Sequence, residues 1–174
     1  MQGVRLFVSD KCWGLVESLG EFYPEAMWQR CTVHFCHNVW RAVPTSKVRE
    51  VAAMLKAIHA QEDRAAARQK AEQVAAKLKE MKLADAAALV LAGIEETLFY
   101  YAFPSEHWRC LRTNNPLERI LREVRRTTRA VGAFPDGKSA LMLAAARLRH
   151  IAGSKWGTCR YMDMNRLAEA SAAA

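Results

Sequence analysis

Residues 113–132, TNNPLERILREVRRTTRAVG, constrain the fold most, because they read as a helix whose two faces need opposite surroundings. Asn115 suits an N-cap, Pro116 the first helical position and Gly132 the stop. At roughly 100° per residue, Leu117, Ile120, Leu121, Val124 and Thr128 form one stripe that requires a core. Arg119, Arg122, Arg125, Arg126 and Arg129 gather on the opposite side. Glu118 falls on the arginine flank near the border, one turn from Arg122. Asn115-x-x-Glu118 has the form of a capping box, and a first-turn carboxylate also suits the helix dipole. The alternative is that this acid belongs to a site the arginines serve. Five arginines are too many for one acid to neutralise, so the face points to phosphate.

The remaining chain has to supply that core. With 174 residues, 51% of them hydrophobic, it can hold one core, or one domain with an insertion. A net charge of +8 and a pI near 9.5 favour a polyanionic partner, nucleic acid ahead of a membrane surface. Five cysteines without regular spacing fit reduced thiols in an intracellular, cytoplasmic setting. No apolar run reaches membrane-spanning length, so no membrane partner is expected. The first ten residues lack a signal-peptide layout and run straight into a strand-like segment.

Residues 4–9 are short, apolar and β-rich, a buried strand ending at Asp10. Residues 13–22 carry Leu15, Val16, Leu19 and Phe22 at helical spacing, and Pro24 closes that helix. Residues 28–35 alternate, which predicts a second strand; strand, helix, strand begins an α/β arrangement. Helices are then expected over 38–43, 47–59, 62–81 (an Ala/Lys/Glu-rich surface helix with Val74, Leu78 and Met81 as its apolar stripe) and 84–101, the last on Leu89, Leu91, Ile94 and Leu98. Residues 103–108 read as a loop, 134–137 as a Pro-Asp-Gly turn, and 138–151 as a last amphipathic helix before a frayed Ala-rich end. No repeat and no interdomain linker is evident. The expected class is therefore α/β with few strands and an all-helical insertion over about 44–110, mostly α by residue count.

Asp10 stands where a strand ends, a common place for functional carboxylates in α/β folds, although a Ser-Asp there also caps helices. Paired with Glu118 it makes sense as a ligand of a hard metal: Mg²⁺ takes one or two carboxylates plus phosphates, and two such ions can clamp a phosphodiester displacement. Such a site normally needs another acid. Cys31, His34, Cys36 and His37, with Cys12, His107 or Cys110 from elsewhere, raise a zinc reading, against which stands the ordinary use of Cys and His as core residues. Trp13, Trp28, Trp40, Trp108 and Trp156 are scattered, which fits core packing. Trp108, between His107 and Arg109, is the candidate for base stacking.

Taken together, several short motifs resemble the Mutator-type bacterial transposases, the IS256-like insertion-sequence group. They are Val8-Ser-Asp10 with Gly14-Leu15, Gln29-Arg-Cys31-x-x-His34 with Asn38, and Phe103-Pro-x-x-His107-Trp108. Thr113-Asn114-x-x-x-Glu118-Arg119, Arg122-Glu-Val-Arg-Arg126 and Phe134-Pro135 follow in the same order, so the match covers nearly all of residues 4–161. The resemblance implies an RNase H-like fold with a helical insertion and an Asp-Asp-Glu triad binding two Mg²⁺ ions. Asp10 would be the second Asp and Glu118 the Glu, both metal ligands. Arg119, Arg122, Arg125, Arg126 and Arg129 would contact DNA, with Cys31, His34 and Asn114 as motif residues near the site. It further implies a homo-oligomer in the intact protein, cleavage at insertion-sequence ends, and strand transfer by the freed 3′-hydroxyl.

This sequence departs from the pattern at Lys11-Cys12-Trp13, where relatives carry Gly and His, and at Thr127, which interrupts a longer arginine run. The first Asp of the triad and the N-terminal DNA-binding region would lie ahead of Met1. The chain therefore reads as a C-terminal portion of the catalytic domain, 1–174, expected to be inactive alone. The alternative function is a non-catalytic DNA-binding or oligomerisation fragment that modulates an intact transposase. A third reading is a poorly folded chain whose first strand leaves an apolar edge unpaired.

Overall fold

A computed structural model describes residues 3–167, so the Ala-rich end expected to fray lies outside the described residues. The chain divides into two compact units, Met1–Thr113 with Met164–Ala174, and Asn114–Asp163.

The first unit is mostly helical around a small parallel sheet. Strand β1 (Leu6–Ser9) pairs with β2 (Met27–Arg30) in the register Leu6↔Met27 to Ser9↔Arg30, and α1 (Trp13–Phe22) makes the crossover. The strand expected over 28–35 stops at Arg30. Cys31 turns the chain, and α2 (Thr32–Trp40) takes over the residues assigned to the strand's second half and the first half of the short helix expected at 38–43. The reason is burial: Thr32, Phe35 and Val39 follow at spacings of three and four and are all buried, whereas a strand would send 32 and 35 to opposite faces. A distant carbonyl also satisfies the first turn, the Thr32 amide donating to Arg112 O at 3.0 Å.

Three further helices build the core. They are α3 (Val48–Ile58), α4 (Arg64–Glu80) and α5 (Ala84–Gly93), with Val51, Leu55 and Ile58 of α3 and Val90 of α5 buried. Asp63 caps α4 by accepting the Ala66 amide at 2.7 Å. The expected surface helix is in fact half core: Ala67, Ala71 and Ala75 join Val74 and Leu78 inside, their small side chains admitting close neighbours. Helix α5 ends at Gly93 rather than 101, and Leu89 and Leu91 of its expected stripe point outward. Three 3-10 turns replace its second half and most of the expected 103–108 loop (Glu95–Thr97, Phe99–Ala102, Ser105–His107), leading into the short α6 (Trp108–Leu111). Gly93 lets the chain pass closely there: an added Cβ would lie 3.0 Å from both the Arg30 guanidinium and the Phe35 ring, a tight approach.

The second unit pairs α7 (Asn115–Val131) with α8 (Gly137–Ala152). Gly132 ends α7 at a positive φ of 81°, as its place in the sequence predicts. The N-cap is Asn114, one residue earlier than expected, and its side chain makes no capping bond; the capping box of Asn115 with Glu118 does not form. Asp136 caps α8 through the Ser139 amide at 2.6 Å. Neither helix has a fully buried residue. Of the expected α7 stripe, Ile120, Val124 and Thr128 are half-buried, while Leu117 and Leu121 stay exposed. Among the described residues no helix is long and apolar enough to cross a membrane.

This contrast predicts the order of proteolysis. Helices α4 and α7 are equally rich in Lys and Arg, but only α4 buries a continuous face. Local opening is easiest where few apolar groups are buried. Brief trypsin treatment should therefore cut within 119–129 first and leave a core fragment ending near Arg112. First cuts within 64–80 would contradict the assignment.

Candidate functional site

Asp10 follows β1 directly and is exposed. Its Oδ1 accepts the Lys11 amide at 2.8 Å, and the Ser9 hydroxyl donates to its carbonyl at 2.9 Å. That hydroxyl also accepts Trp28 Nε1 at 2.8 Å, tying the end of β1 to β2. The Lys11 ammonium pairs with Glu96 Oε1 at 2.5 Å and lies 4.9 Å over the Trp13 ring. Arg30 holds the other Glu96 oxygen at 3.2 Å and lies over Phe35. Lys11, a departure from the family pattern, is thus paired with an acid 85 residues away.

Glu95 faces the other way, its carboxylate clamped by Arg64 at 3.0 Å and by Arg68 at 2.5 and 2.7 Å. The Arg68 hydrogen bond, ahead of Arg64, lowers the Glu95 carboxyl below its usual range. Two consecutive acids therefore pin one turn between α4 and the strand ends. Fully buried Gln29 completes the junction: Nε2 donates to Thr97 O at 2.7 Å and Arg30 O at 3.0 Å, and Oε1 accepts the Tyr100 amide at 3.1 Å. Sequence reasoning passed over Glu96 and the carboxamide role of Gln29. The one available signal was a buried-type position filled by Gln in the Gln-Arg-Cys motif.

Cys31 is buried, and its amide donates to Ser9 O at 2.8 Å, one residue from Asp10. His34 sits in the first turn of α2, with Nδ1 buried and unpaired. On this helix Cys36 points roughly opposite His34. Burial, with Cys31 adding, pushes its thiol up to about 11, so it stays protonated. His37 packs at a tilt against Trp40, ring centroids 4.9 Å apart. Among the described residues no three His, Cys, Asp or Glu side chains are grouped to hold a metal ion. Trp108 is not a free stacking face: Nε1 donates to Phe103 O at 2.7 Å and the ring packs edge-on against Tyr100 and Tyr101 at 5.8 and 4.5 Å. His107 is buried beside it with both ring nitrogens unpaired.

In the second unit Glu118 is half-exposed, and among the described residues its carboxylate takes no hydrogen bond or ion pair; its amide donates to Asn114 O at 3.1 Å. Asn114 Oδ1 is buried without a partner. The five arginines separate into two rows. Arg126 pairs with Glu123 at 3.0 Å, and Arg119 lies 4.8 Å over the Trp156 ring. Glu123 also bonds Arg147 of α8 at 2.6 Å, and these two arginines, Arg147 first, hold its carboxyl below the usual range. Arg122, Arg125 and Arg129 are exposed and make no ion pair among the described residues. They follow Glu118 at steps of four, three and four, so the acid and the three uncommitted arginines share one row. This unit holds ten of the 26 Lys and Arg but only four of the 18 acids.

Residues 1–156 match the family model described as Transposase, Mutator family. The chain is 35% identical over 173 residues to the transposase for insertion sequence element IS1081 of Mycobacterium tuberculosis, covering 99% of this chain and 41% of that protein. It is 33% identical to the transposase for ISRM5 of Rhizobium meliloti over 97% of the chain and 42% of the relative. To the transposase for IS256 in transposon Tn4001 of Staphylococcus aureus it is 31% identical, over 85% of the chain and 38% of the relative. The chain thus spans about two-fifths of the length of these relatives. It belongs to the Mutator family of transposases.

Proposed function

We propose that this chain works in DNA transposition by contributing Asp10 and Glu118 to a DDE-type site on an RNase H-like core, interrupted by the helical insertion at about 44–110. The chemistry is cleavage at insertion-sequence ends followed by strand transfer. Family membership supports transposition itself. The observation that carries the DNA-directed reading is the row on α7: an uncommitted carboxylate in line with three exposed, unpaired arginines.

The donor chemistry suits Mg²⁺. Both acids offer hard oxygens, Glu118 with neither oxygen engaged and Asp10 with only an amide bond on Oδ1. When bound, such ions polarise the phosphodiester and activate the attacking hydroxyl. The protein's own part begins with Arg122, Arg125 and Arg129 holding the phosphate backbone, and Arg119 and Arg126 flanking them. Glu96 and Trp13 keep the Lys11 ammonium off Asp10, leaving that carboxylate available. With two of the three carboxylates, the 174-residue chain by itself is expected to show no strand transfer. Mg²⁺-dependent transfer by the purified chain, abolished by Glu118→Gln, would refute that expectation.

A second reading, a non-catalytic DNA-binding or oligomerisation module, draws support from the concentration of positive charge in the second unit and from exposed Leu141 and Met142 on α8. Salt titration of duplex binding separates the two. Replacing Arg122, Arg125 and Arg129 with Ala should flatten the log–log salt slope by about three and weaken binding at least tenfold. Asp10→Asn and Glu118→Gln should leave DNA affinity within about twofold, because neither acid neutralises phosphate. On the catalytic reading these two changes reduce Mn²⁺ binding measured by electron paramagnetic resonance. On the modular reading they do not. An unchanged salt slope in the arginine variant would remove the DNA track altogether.

A further inference from the structure

One cavity in the second unit plays no part in the site described above. It measures about 350 Å³, the small end of ligand-sized pockets, and is mostly apolar. Pro116 and Ile120 of α7, Leu148 and Ile151 of α8, and Trp156 and Tyr161 beyond α8 line it. The segment carrying the aromatics is tightly built. Gly157 presses on the end of α8 so closely that a Cβ would lie 2.3 Å from Ala152 O and 2.6 Å from Ile151 O. The Ser154 hydroxyl donates to Ile151 O at 2.6 Å, and the Gly157 amide to Ser154 O at 2.9 Å. No side chain larger than hydrogen fits position 157 without a shift of the backbone there.

One cation stands at the edge of the cavity. The Arg119 guanidinium covers Trp156 at 4.8 Å, and Lys155 and Arg160 flank the aromatic segment in sequence. On α7, Arg119 lies roughly 100° round from Glu118, and Ile120 and Pro116 a further 60–100°. Passing round the helix from the open arginine row, one therefore meets first the Arg119–Trp156 pair and then the cavity.

From this arrangement we propose that the cavity receives an unstacked nucleobase from the DNA strand held by Arg122, Arg125 and Arg129. The inference rests on the DNA-binding reading given above and adds a second element to it. Phosphates along the arginine row leave a base free to turn past Arg119, whose stacked guanidinium supplies a flat cationic platform. Trp156 and Tyr161 then offer aromatic faces in an apolar surround. The lining is mostly apolar, so stacking dominates over edge reading and the pocket accepts any base, most readily one already unpaired. An apolar peptide segment would find the same hollow but would make no use of the Arg119 guanidinium stacked on Trp156.

The test uses the whole 174-residue chain with two duplexes of equal length. One is fully paired; the other carries 2-aminopurine opposite an abasic site. The chain should bind the second about tenfold more tightly and quench its fluorescence, as stacking on an aromatic ring does. Ile120→Phe, which fills the cavity, and Trp156→Ala should abolish the preference and the quenching while leaving the affinity and salt slope for the paired duplex unchanged. Trp156→Phe should retain both signals. Equal affinity for the two duplexes, or quenching that survives Ile120→Phe, overturns the base pocket alone and is the result expected if a protein segment fills it. Failure to bind either duplex overturns the DNA-binding reading and this proposal with it.

Discussion

Replacing Gln29 with leucine is expected to lower the stability of the first unit by about 3 kcal/mol in urea unfolding. Leucine preserves volume and apolar contact, so what the substitution removes is the carboxamide. Thr97 O and the Tyr100 amide lose their side-chain partner, and Arg30 O loses a second donor. A buried polar group left without a partner costs about 1–3 kcal/mol, and Gln29, Thr97 and Tyr100 are each almost fully enclosed. The loss should also loosen the turn that brings Glu96 to Lys11, because that turn is fastened on one side by Gln29 and on the other by Glu95 with Arg64 and Arg68. Gln69→Leu on the exposed side of α4 serves as the control and should change stability by less than about 0.5 kcal/mol. A Gln29 variant within 1 kcal/mol of the parent would show that the carboxamide is not the fastening.

Acid should destabilise the same unit through His59. Its ring is buried with both nitrogens unpaired, packed against Phe35 and Tyr100, with Arg112 reaching its carbonyl at 3.3 Å. Burial above all, then the Arg112 charge, lowers its pKa from 6.5 to about 4. The unfolded chain thus takes up the proton first. The stability associated with neutral His59 is complete above about pH 6.5 and is lost as the pH falls toward 4, amounting to about 3 kcal/mol in all. His59→Phe should flatten the pH dependence of unfolding free energy across that window. Superimposable profiles for variant and parent would sink the assignment.

The elements best read from residues alone are those whose boundaries are locally encoded. Pro116 and Gly132 bracket α7 within one residue, and Asp136 opens α8 from the Pro-Asp-Gly turn. The first strand and its crossover helix followed from a β-rich run and a helical apolar pattern. The second strand failed midway because 28–35 alternates well enough for a sheet while Phe35, Val39 and Val43 also satisfy a helix; short apolar runs do not discriminate. The stretch from 94 to 108 failed for a related reason. Its helical composition is genuine, but Gln29, Arg30 and the α4 arginines draw its backbone and acids into separate 3-10 turns.

For the proposed site, Asp10, Glu118 and the five arginines could be named from the sequence, because family motifs and helical faces depend on local order. Which of them are chemically available was not. Lys11 is removed from Asp10 by Glu96, two arginines are engaged by Trp156 and Glu123, and three remain open beside an unpaired Glu118. Chain order alone determined that one helix would carry an acid among arginines, since that needs only 100° per residue. The tertiary structure alone decided which charges stay free, since ion pairing depends on distances between residues that the sequence leaves far apart.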